Sequence, residues 1–271
     1  MKPLKQFGQH FLTDNSIADK IVAAAELCPQ DTVWEIGPGK GILTERIIQM
    51  TTHLTAFEID YRLNELLSHK YGTGLHLINR DILAVNWQEL LQEDKDSGRK
   101  VKLVSNLPYQ ITSPVLYKLE EQAESFSRIV IMVQREVADR LTAQAGTKAY
   151  SPLTLKLGYY FEVRNLLQVP PDAFEPAPKV HSTVVLLTPR LNKPAIKSLD
   201  TYRHIVNRAF SQRRKTLRNN LRIDYLPEQL KWLEEQSGIN FNRRGETLGE
   251  EEFIRLADLV VAYPGKRSST D

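Results

Sequence analysis

The sequence predicts an α/β fold: a mostly parallel sheet followed by a small, all-helical domain. Five short apolar runs alternate with segments of helical periodicity before residue 170, which is typical of parallel strands joined by helices. A glycine-rich turn follows the first run. Beyond the linker at 188–194, proline is nearly absent and the periodicity stays helical to about Val261. Since 271 residues suit one large and one small domain, we predict domains at 1–190 and 195–271.

Composition narrows the class of protein. Hydrophobic residues make up 41% of the chain and charged residues 25%, with a net charge of +3, as in a globular protein with a sizeable core. Cys28 is the single cysteine, and the six histidines are scattered, so we expect neither disulfides nor a metal site. No apolar run approaches the ~18 residues of a membrane span, and no signal-peptide core is present. We therefore expect a cytoplasmic protein, or one imported and freed of its leader.

The first element is a basic, aromatic arm over residues 1–13, in which Phe7-Gly8-Gln9-His10-Phe11-Leu12 stands out. Such an arm is either a frayed terminus packed on the core or a flap that covers a ligand. Asp14 or Asn15 can cap a helix that the apolar spacing extends to about Leu27.

The first strand ends at Ile36 and leads into Gly37-Pro38-Gly39-Lys40-Gly41. Glycines let the backbone turn sharply and let a ligand lie against it, and in an open α/β sheet this turn lies where ligands bind. Ile42 stands where the dinucleotide fingerprint requires its third glycine, so a dehydrogenase is not favoured. Many such turns carry glycine for geometry alone, and that interpretation stays open here.

Carboxylates follow three successive predicted strands, as Glu35, Glu58 and Asp81. Glu58 lies about 20 residues beyond the turn, where a carboxylate that binds ribose hydroxyls is expected. Each acid alone has a structural explanation, since Asp60 and Asp81 could cap helices. Together they predict an adenosine cofactor at one rim of the sheet.

The fourth strand, 101–105, ends in Asn106-Leu107-Pro108-Tyr109. Proline has no N–H and biases Leu107 toward an extended backbone, so we expect carbonyls here without local partners, facing the ligand. Tyr109 adds a flat aromatic face, and Thr112 or Ser113 is predicted to cap the next helix.

A fifth strand covers 129–133 and its helix 136–144, and an antiparallel hairpin is expected in the region 159–187. Within that region, the prolines of 170–178 predict a rigid, extended segment that presents Phe174 outward.

The segment Thr201 to Arg222 carries seven Arg or Lys residues and no acid. Arg214, Arg218 and Arg222 recur at every fourth position, which predicts a basic stripe on a helical segment. A solvated face is the plain alternative, but a stripe without acids favours contacts with phosphates.

Jointly, these motifs resemble those of the small-subunit ribosomal RNA adenine N6,N6-dimethyltransferases. The resemblance covers nearly the whole chain, including the arm, Glu35 to Gly39, Glu58-Ile59-Asp60, Asn106 to Tyr109, Phe174 to Ser182, Arg213 to Leu217 and Arg243 to Leu248. His10 departs from the pattern, because the family often has Asn there.

The resemblance implies a Rossmann-like methyltransferase with a mostly parallel, seven-stranded sheet. It implies S-adenosylmethionine as donor, S-adenosylhomocysteine as product, no metal, and dimethylation of two adjacent adenosines near the 3′ end of 16S rRNA in the immature 30S subunit by a monomer. The residues that it assigns to the cofactor are His10, Leu12, Gly37, Pro38, Gly39, Glu58, Ile59, Asp81, Ile82 and Asn106.

For the target adenine, we expect the Asn106 oxygen and the Leu107 or Pro108 carbonyl to accept from N6, with Tyr109 and Phe174 on the two faces of the base. The residues expected to bind RNA are Arg213, Arg214, Lys215, Arg218 and Arg222.

Three alternatives remain at this point. A large-subunit (23S) rRNA adenine N6-methyltransferase of the antibiotic-resistance type shares the fold and a similar Asn-x-Pro-aromatic motif. A DNA adenine methyltransferase commonly carries Asp before the proline. A non-catalytic RNA-binding or transcription factor could keep the fold, although the intact Asn106 to Tyr109 set argues against it.

Overall fold

The computed structural model describes residues 9–265, so Phe7 and Gly8 of the arm lie outside the described residues. The chain forms two compact units. Among the described residues, the sheet unit comprises 9–142 and 160–191, and the helical unit comprises 143–159 and 192–265. The sequence patterns place 143–159 in the first domain, whereas the structure groups it with the second. The reason is local packing: Tyr150 and Leu155 are buried in the core of the helical unit, where the Tyr150 hydroxyl donates to the Leu248 carbonyl at 3.0 Å.

The described chain alternates strands and helices up to residue 141 and is mainly helical after residue 192. The strands are β1 (Phe11–Leu12), β2 (Thr32–Ile36), β3 (His53–Phe57), β4 (His76–Ile78), β5 (Val101–Asn106), β6 (Phe126–Gln134), β7 (Phe161–Val169), β8 (Phe174–Glu175) and β9 (Ser182–Pro189). The helices are α1 (Asn15–Ala24), α2 (Thr44–Ile47), α3 (Tyr61–Tyr71), α4 (Trp87–Leu90), α5 (Gln92–Asp96), α6 (Thr112–Glu121), α7 (Arg135–Leu141), α8 (Pro152–Tyr160), α9 (Leu199–Ala209), α10 (Leu217–Leu221), α11 (Pro227–Ser237) and α12 (Glu250–Ala262).

Seven strands form one sheet in the order β4-β3-β2-β5-β6-β9-β7. Neighbours from β4 to β6 are parallel, and β9 runs antiparallel to both β6 and β7. The predicted α/β class with a mostly parallel sheet is confirmed. The chain leaves β2 toward β3 and β4 and then returns to β5 on the other side, so the strand order reverses between β2 and β5. Ligands bind at such a switch point.

The central strands are buried on both faces, as parallel strands covered by helices must be. Val33, Leu103 and Val130 are fully buried. On α1, Ile17, Ala18, Ile21 and Val22 form a buried stripe, and the helix ends at Ala24 rather than near Leu27 as the apolar spacing predicted. The Asp14 side chain caps this helix by accepting from the Ser16 and Ile17 N–H groups at 2.8 and 3.1 Å.

A second, two-stranded sheet pairs the arm with the proline-rich segment. In this antiparallel pair Leu12 lies opposite Phe174 and Phe11 opposite Glu175. The expectation that the segment presents Phe174 outward is wrong: the side chain is only 4% exposed and packs in the main core, because the arm lies over it. Sequence patterns gave no sign of this pairing, since the two segments lie far apart in the chain.

The basic segment 201–222 is two helices rather than one. Helix α9 ends at Ala209, and α10 begins at Leu217 with Thr216 as its cap. The Asn220 amide holds the intervening turn by donating to the Ala209 carbonyl at 2.7 Å. Arg214 therefore lies in the turn, and the predicted regular stripe of Arg214, Arg218 and Arg222 is wrong. Among the described residues 9–265, no helix has the length and apolar character that crossing a membrane requires.

Candidate active site

One cleft opens at the carboxyl ends of β2, β3 and β5 and encloses about 1110 Å³, including the solvent at its mouth. Its position at the switch point is where the sequence placed a ligand site. All ten residues expected to contact the cofactor lie on its wall: His10, Leu12, Gly37, Pro38, Gly39, Glu58, Ile59, Asp81, Ile82 and Asn106. Leu107, Pro108 and Tyr109 also line it, whereas Phe174 does not.

The glycine-rich turn forms the floor of the cleft. Gly37 and Gly39 have φ angles of +67° and +61°, and residues that carry a Cβ rarely adopt such positive φ values. A Cβ on Gly37 would lie 3.0 Å from Pro108 Cγ, and one on Gly39 would lie 3.0 Å from Phe11 Cδ1. Bare backbone is therefore required twice, by conformation and by space.

Glu58 stands at the end of β3 and is 5% exposed. Its Oε2 accepts from the Gly39 N–H at 3.2 Å and its Oε1 from the Asp60 N–H at 2.9 Å, so the carboxylate is held in a fixed orientation. Burial raises its pKa. Each oxygen has a second lone pair, which suits a carboxylate that accepts from two hydroxyls.

Two further acids differ in their surroundings. Asp60 caps α3 and binds Arg62, whose hydrogen bond lowers the pKa of Asp60 to about 2, so this carboxylate is structural. Asp81 lies on the cleft wall, and its Oδ1 accepts from the Leu83 N–H at 2.9 Å.

Glu35 is the cleft acid that our list of cofactor residues omitted. It is 1% exposed, and Thr44 donates its hydroxyl to Oε2 at 2.7 Å. Burial, and secondarily the neighbouring Glu58, raises the pKa of Glu35 to about 8. The group is therefore a neutral carboxylic acid through most of the range below pH 8. Its position two residues before Gly37, at the end of the first apolar run, was the sequence signal that pointed to it.

We predict that Glu35→Gln stabilises the sheet unit at high pH. In the unfolded chain this carboxyl ionises near pH 4.3, so between that value and about 8 the unfolded state binds fewer protons than the folded state. The free energy of unfolding then falls as pH rises. Gln has no such loss, so we expect a gain of a few kcal/mol at pH 8 and of about 1 kcal/mol or less near pH 5, to within an order of magnitude.

The measurement is urea unfolding at both pH values in a Trp232→Phe background, where Trp34 and Trp87 report on the sheet unit. The matched control is Glu65→Gln, which removes an exposed carboxylate from α3. A gain of equal size at the two pH values would contradict the burial of an un-ionised Glu35.

The last residue of β5 and the residue after it present two oxygen acceptors. The Asn106 amide nitrogen donates to the His10 carbonyl at 3.5 Å, which directs Oδ1 away from that carbonyl. The Pro108 carbonyl already accepts from the Ile111 N–H and the Thr112 hydroxyl, both at 3.1 Å, so our expectation that it lacks local partners is wrong. The same contact explains why Thr112 begins α6 without capping it. Within residues 9–265, the Leu107 carbonyl accepts no hydrogen bond, which makes it the second acceptor.

Two contacts hold the Tyr109 side chain, one at its hydroxyl and one on a face of its ring. Its hydroxyl lies 2.6 Å from Ser182 Oγ, and burial raises its pKa. Its ring stacks on the His10 imidazole, with centroids 5.6 Å apart and planes inclined by 30°. His10 in turn donates its Nδ1–H to the Pro176 carbonyl at 2.7 Å.

The five predicted RNA-binding residues of the helical unit fall into two groups. Arg213 forms an ion pair with Glu246 at 2.8 Å and donates to the Lys148 carbonyl, and Arg218 pairs with Glu234. Arg214, Lys215 and Arg222 are exposed and form no ion pair with any residue from 9 to 265.

The chain is similar to known proteins over nearly its whole length. The model of the ribosomal RNA adenine dimethylase family matches residues 2–261. Two curated relatives, each named ribosomal RNA small subunit methyltransferase A, are 40% identical to the chain. The protein from Bacillus cytotoxicus aligns over 97% of this chain and 92% of its own length, and that from Syntrophotalea carbinolica over 97% and 98%.

Two solved structures are also similar. A dimethyladenosine transferase from Plasmodium falciparum has a TM-score of 0.74 at 26% identity, covering 91% of this chain and 96% of that one. The 23S rRNA methyltransferase ErmE has a TM-score of 0.69 at 26% identity, covering 91% and 98%. The chain belongs to the ribosomal RNA adenine dimethylase family.

Proposed function

We propose that this protein is an S-adenosylmethionine-dependent enzyme that dimethylates N6 of two adjacent adenosines near the 3′ end of 16S rRNA in the immature 30S subunit. One observation carries the proposal. The Asn106 amide oxygen and the free Leu107 carbonyl stand beside a glycine-floored, acid-lined cleft at the switch point of the sheet. The names of the relatives support the choice of small-subunit rRNA.

The cleft residues fit the donor. Glu58, held by two backbone N–H groups, would accept from both ribose hydroxyls, and Asp81 would accept from the adenine amino group. Ile59 and Ile82 provide apolar surfaces for the adenine ring, while the Gly37 to Gly39 backbone leaves room for the methionine part. When bound, S-adenosylmethionine supplies a methyl group on a sulfonium, a good leaving group. Leu12 and the His10 backbone complete the wall.

The chain's own residues prepare the nucleophile. The N6 lone pair of adenine is conjugated into the ring, so it attacks carbon poorly. Asn106 Oδ1 and the Leu107 carbonyl would accept from the two N6 hydrogens and draw the nitrogen toward tetrahedral geometry. With the donor bound, the lone pair so freed would accept the methyl group, the C–S bonding pair would stay with the donor as a neutral thioether, and the N6 cation would lose its proton to water. Close positioning alone contributes several kcal/mol.

The second methylation must proceed with a single N6 hydrogen. One of the two acceptors then has no partner on the base, and stacking on Tyr109 carries more of the binding. Since the target base must leave its stack to reach the cleft, an aromatic ring whose hydroxyl is held by Ser182 suits this task. Phe174, buried under the arm, would reach the base only if the arm moved.

For the RNA, we assign the exposed Arg214, Lys215 and Arg222 of the helical unit as phosphate contacts, with Arg213 and Arg218 holding that unit's fold. We further propose a monomer that works in the cytoplasm, where ribosomal subunits assemble. A role in small-subunit biogenesis follows from acting on an immature particle.

The large-subunit alternative rests on the likeness to ErmE, which is 26% identical over 91% of this chain. It is not favoured, because relatives that are 40% identical over 97% of the chain carry the small-subunit name.

The deciding experiment is mass spectrometry of rRNA from cells with and without the gene. We expect two N6,N6-dimethyladenosines near the 3′ end of 16S rRNA to vanish with the gene and to return when the purified protein and labelled S-adenosylmethionine are added to immature small subunits. Loss of a modified adenosine from 23S rRNA instead would establish the alternative. Unchanged rRNA together with RNA binding would favour a non-catalytic factor.

A further inference from the structure

His10 makes three separate contacts beside the acceptors. Its ring stacks on Tyr109, its Nδ1–H donates to the Pro176 carbonyl at 2.7 Å, and its own carbonyl accepts from the Asn106 amide at 3.5 Å. One residue thus touches, through different atoms, both the acceptor and the aromatic surface that the proposed reaction uses.

The stack leaves no room for a base between the two rings. Stacked aromatic rings need centroid distances of about 4.5 Å or more, so a base inserted between them would need roughly 9 Å from one outer ring to the other. The observed distance is 5.6 Å. A base that stacks on this face of Tyr109 must therefore displace the imidazole.

His10 also lies beside the N6 acceptor. Its carbonyl accepts from the Asn106 amide at 3.5 Å, and His10, Asn106 and Tyr109 line the same cleft. An adenine that stacked on this face of Tyr109 with its N6 at Asn106 Oδ1 would need the space that the imidazole occupies.

The arm around His10 is anchored without the stack. Gln9 donates its amide to Asp60 at 3.0 Å, and Leu12 pairs with Phe174 in the two-stranded sheet. The neighbours of His10 are therefore held by contacts that do not involve its imidazole.

We propose that the His10 imidazole is a built-in occupant of the target-base site, stacked on Tyr109 in the free protein and displaced when the adenine enters. This inference rests on the proposed function. Its consequence is that the chain gives up one aromatic contact each time a base binds, so His10 lowers the affinity for RNA at the target base.

The test compares His10→Asn, which keeps a side-chain donor for the Pro176 carbonyl but has no ring, with His10→Phe, which keeps a ring but has no donor. We expect His10→Asn to lower the KM for RNA about two- to tenfold, the value of one stacked aromatic pair, with a smaller change in kcat. His10→Phe should keep the wild-type KM or exceed it. The control His53→Asn, at the exposed start of β3, should change neither.

A second measurement avoids turnover. An RNA with 2-aminopurine at the target position is titrated against each variant with S-adenosylhomocysteine present, and the dissociation constants should follow the same order. An unchanged or higher KM in His10→Asn overturns the inference, as does an equal fall in both His10 variants, which would assign the effect to the Pro176 contact. A wild-type protein that methylates no rRNA overturns the proposed function itself.

Discussion

Asn106→Ala is expected to lower kcat for methyl transfer by on the order of 10²- to 10³-fold, the usual cost of losing one preorganised hydrogen-bonding group at a reacting centre. Without Oδ1, the Leu107 carbonyl alone would hold N6, and the lone pair would stay conjugated with the ring. Binding of S-adenosylmethionine should weaken by less than about tenfold, because one hydrogen bond contributes little in net terms. Single-turnover transfer of labelled methyl and calorimetric titration of the donor separate the two quantities.

The matched control is Asn192→Ala, which removes an exposed amide outside the cleft and should leave both quantities unchanged. Full activity in Asn106→Ala would remove the acceptor role assigned here. A variant that also failed to bind the donor would show that Asn106 acts mainly by shaping the cleft.

We expect that changing Arg214, Lys215 and Arg222 to Gln in one variant weakens binding to immature small subunits by tenfold or more, to within an order of magnitude. The plot of log K against log salt should also become less steep, its negative slope falling in magnitude by about 2 to 3. The reason is that each exposed cation that neutralises a phosphate releases counterions. These three are chosen because they are exposed and form no ion pair among residues 9–265, unlike Arg213 and Arg218.

A control that removes the same charge elsewhere is available in Lys20, Lys100 and Lys231, all exposed. If Gln at these three positions lowers the salt slope equally, net charge rather than a defined surface would account for the binding. We expect Arg218→Gln, by contrast, to lower the unfolding temperature and to leave the salt dependence of RNA binding nearly unchanged. The reason is that the ion pair between Arg218 and Glu234 joins α10 to α11.

The sequence predicted what depends on local patterns. The strands that bear the site, the cap at Asp14 and the glycine turn were all marked by residues within a few positions of one another. The ten cleft residues could be listed because the carboxyl ends of parallel strands must meet at one edge of the sheet.

What it missed depends on contacts between distant segments or on turn geometry. Phe174 is buried because the arm pairs with it, and no pattern near Phe174 marks that partner. The Pro108 carbonyl is occupied because the chain tightens into a 3-10 turn at 109–111, which a proline-based argument did not foresee. Periodicity gives no sign that the segment 201–222 is divided. The turn that divides it is held by the Asn220 amide, which donates to the Ala209 carbonyl.

The discontinuity of the helical unit limits how this enzyme can be cut or recombined. Tyr150 and Leu155 belong to that unit although they precede β7 and β9 in the chain. A truncation after residue 191 would expose these apolar side chains to water, and we expect the truncated protein to aggregate. A chimera that borrows the helical unit of a relative should therefore import two inserts, matching 143–159 and 192 onward, and a graft of the second alone should yield insoluble protein.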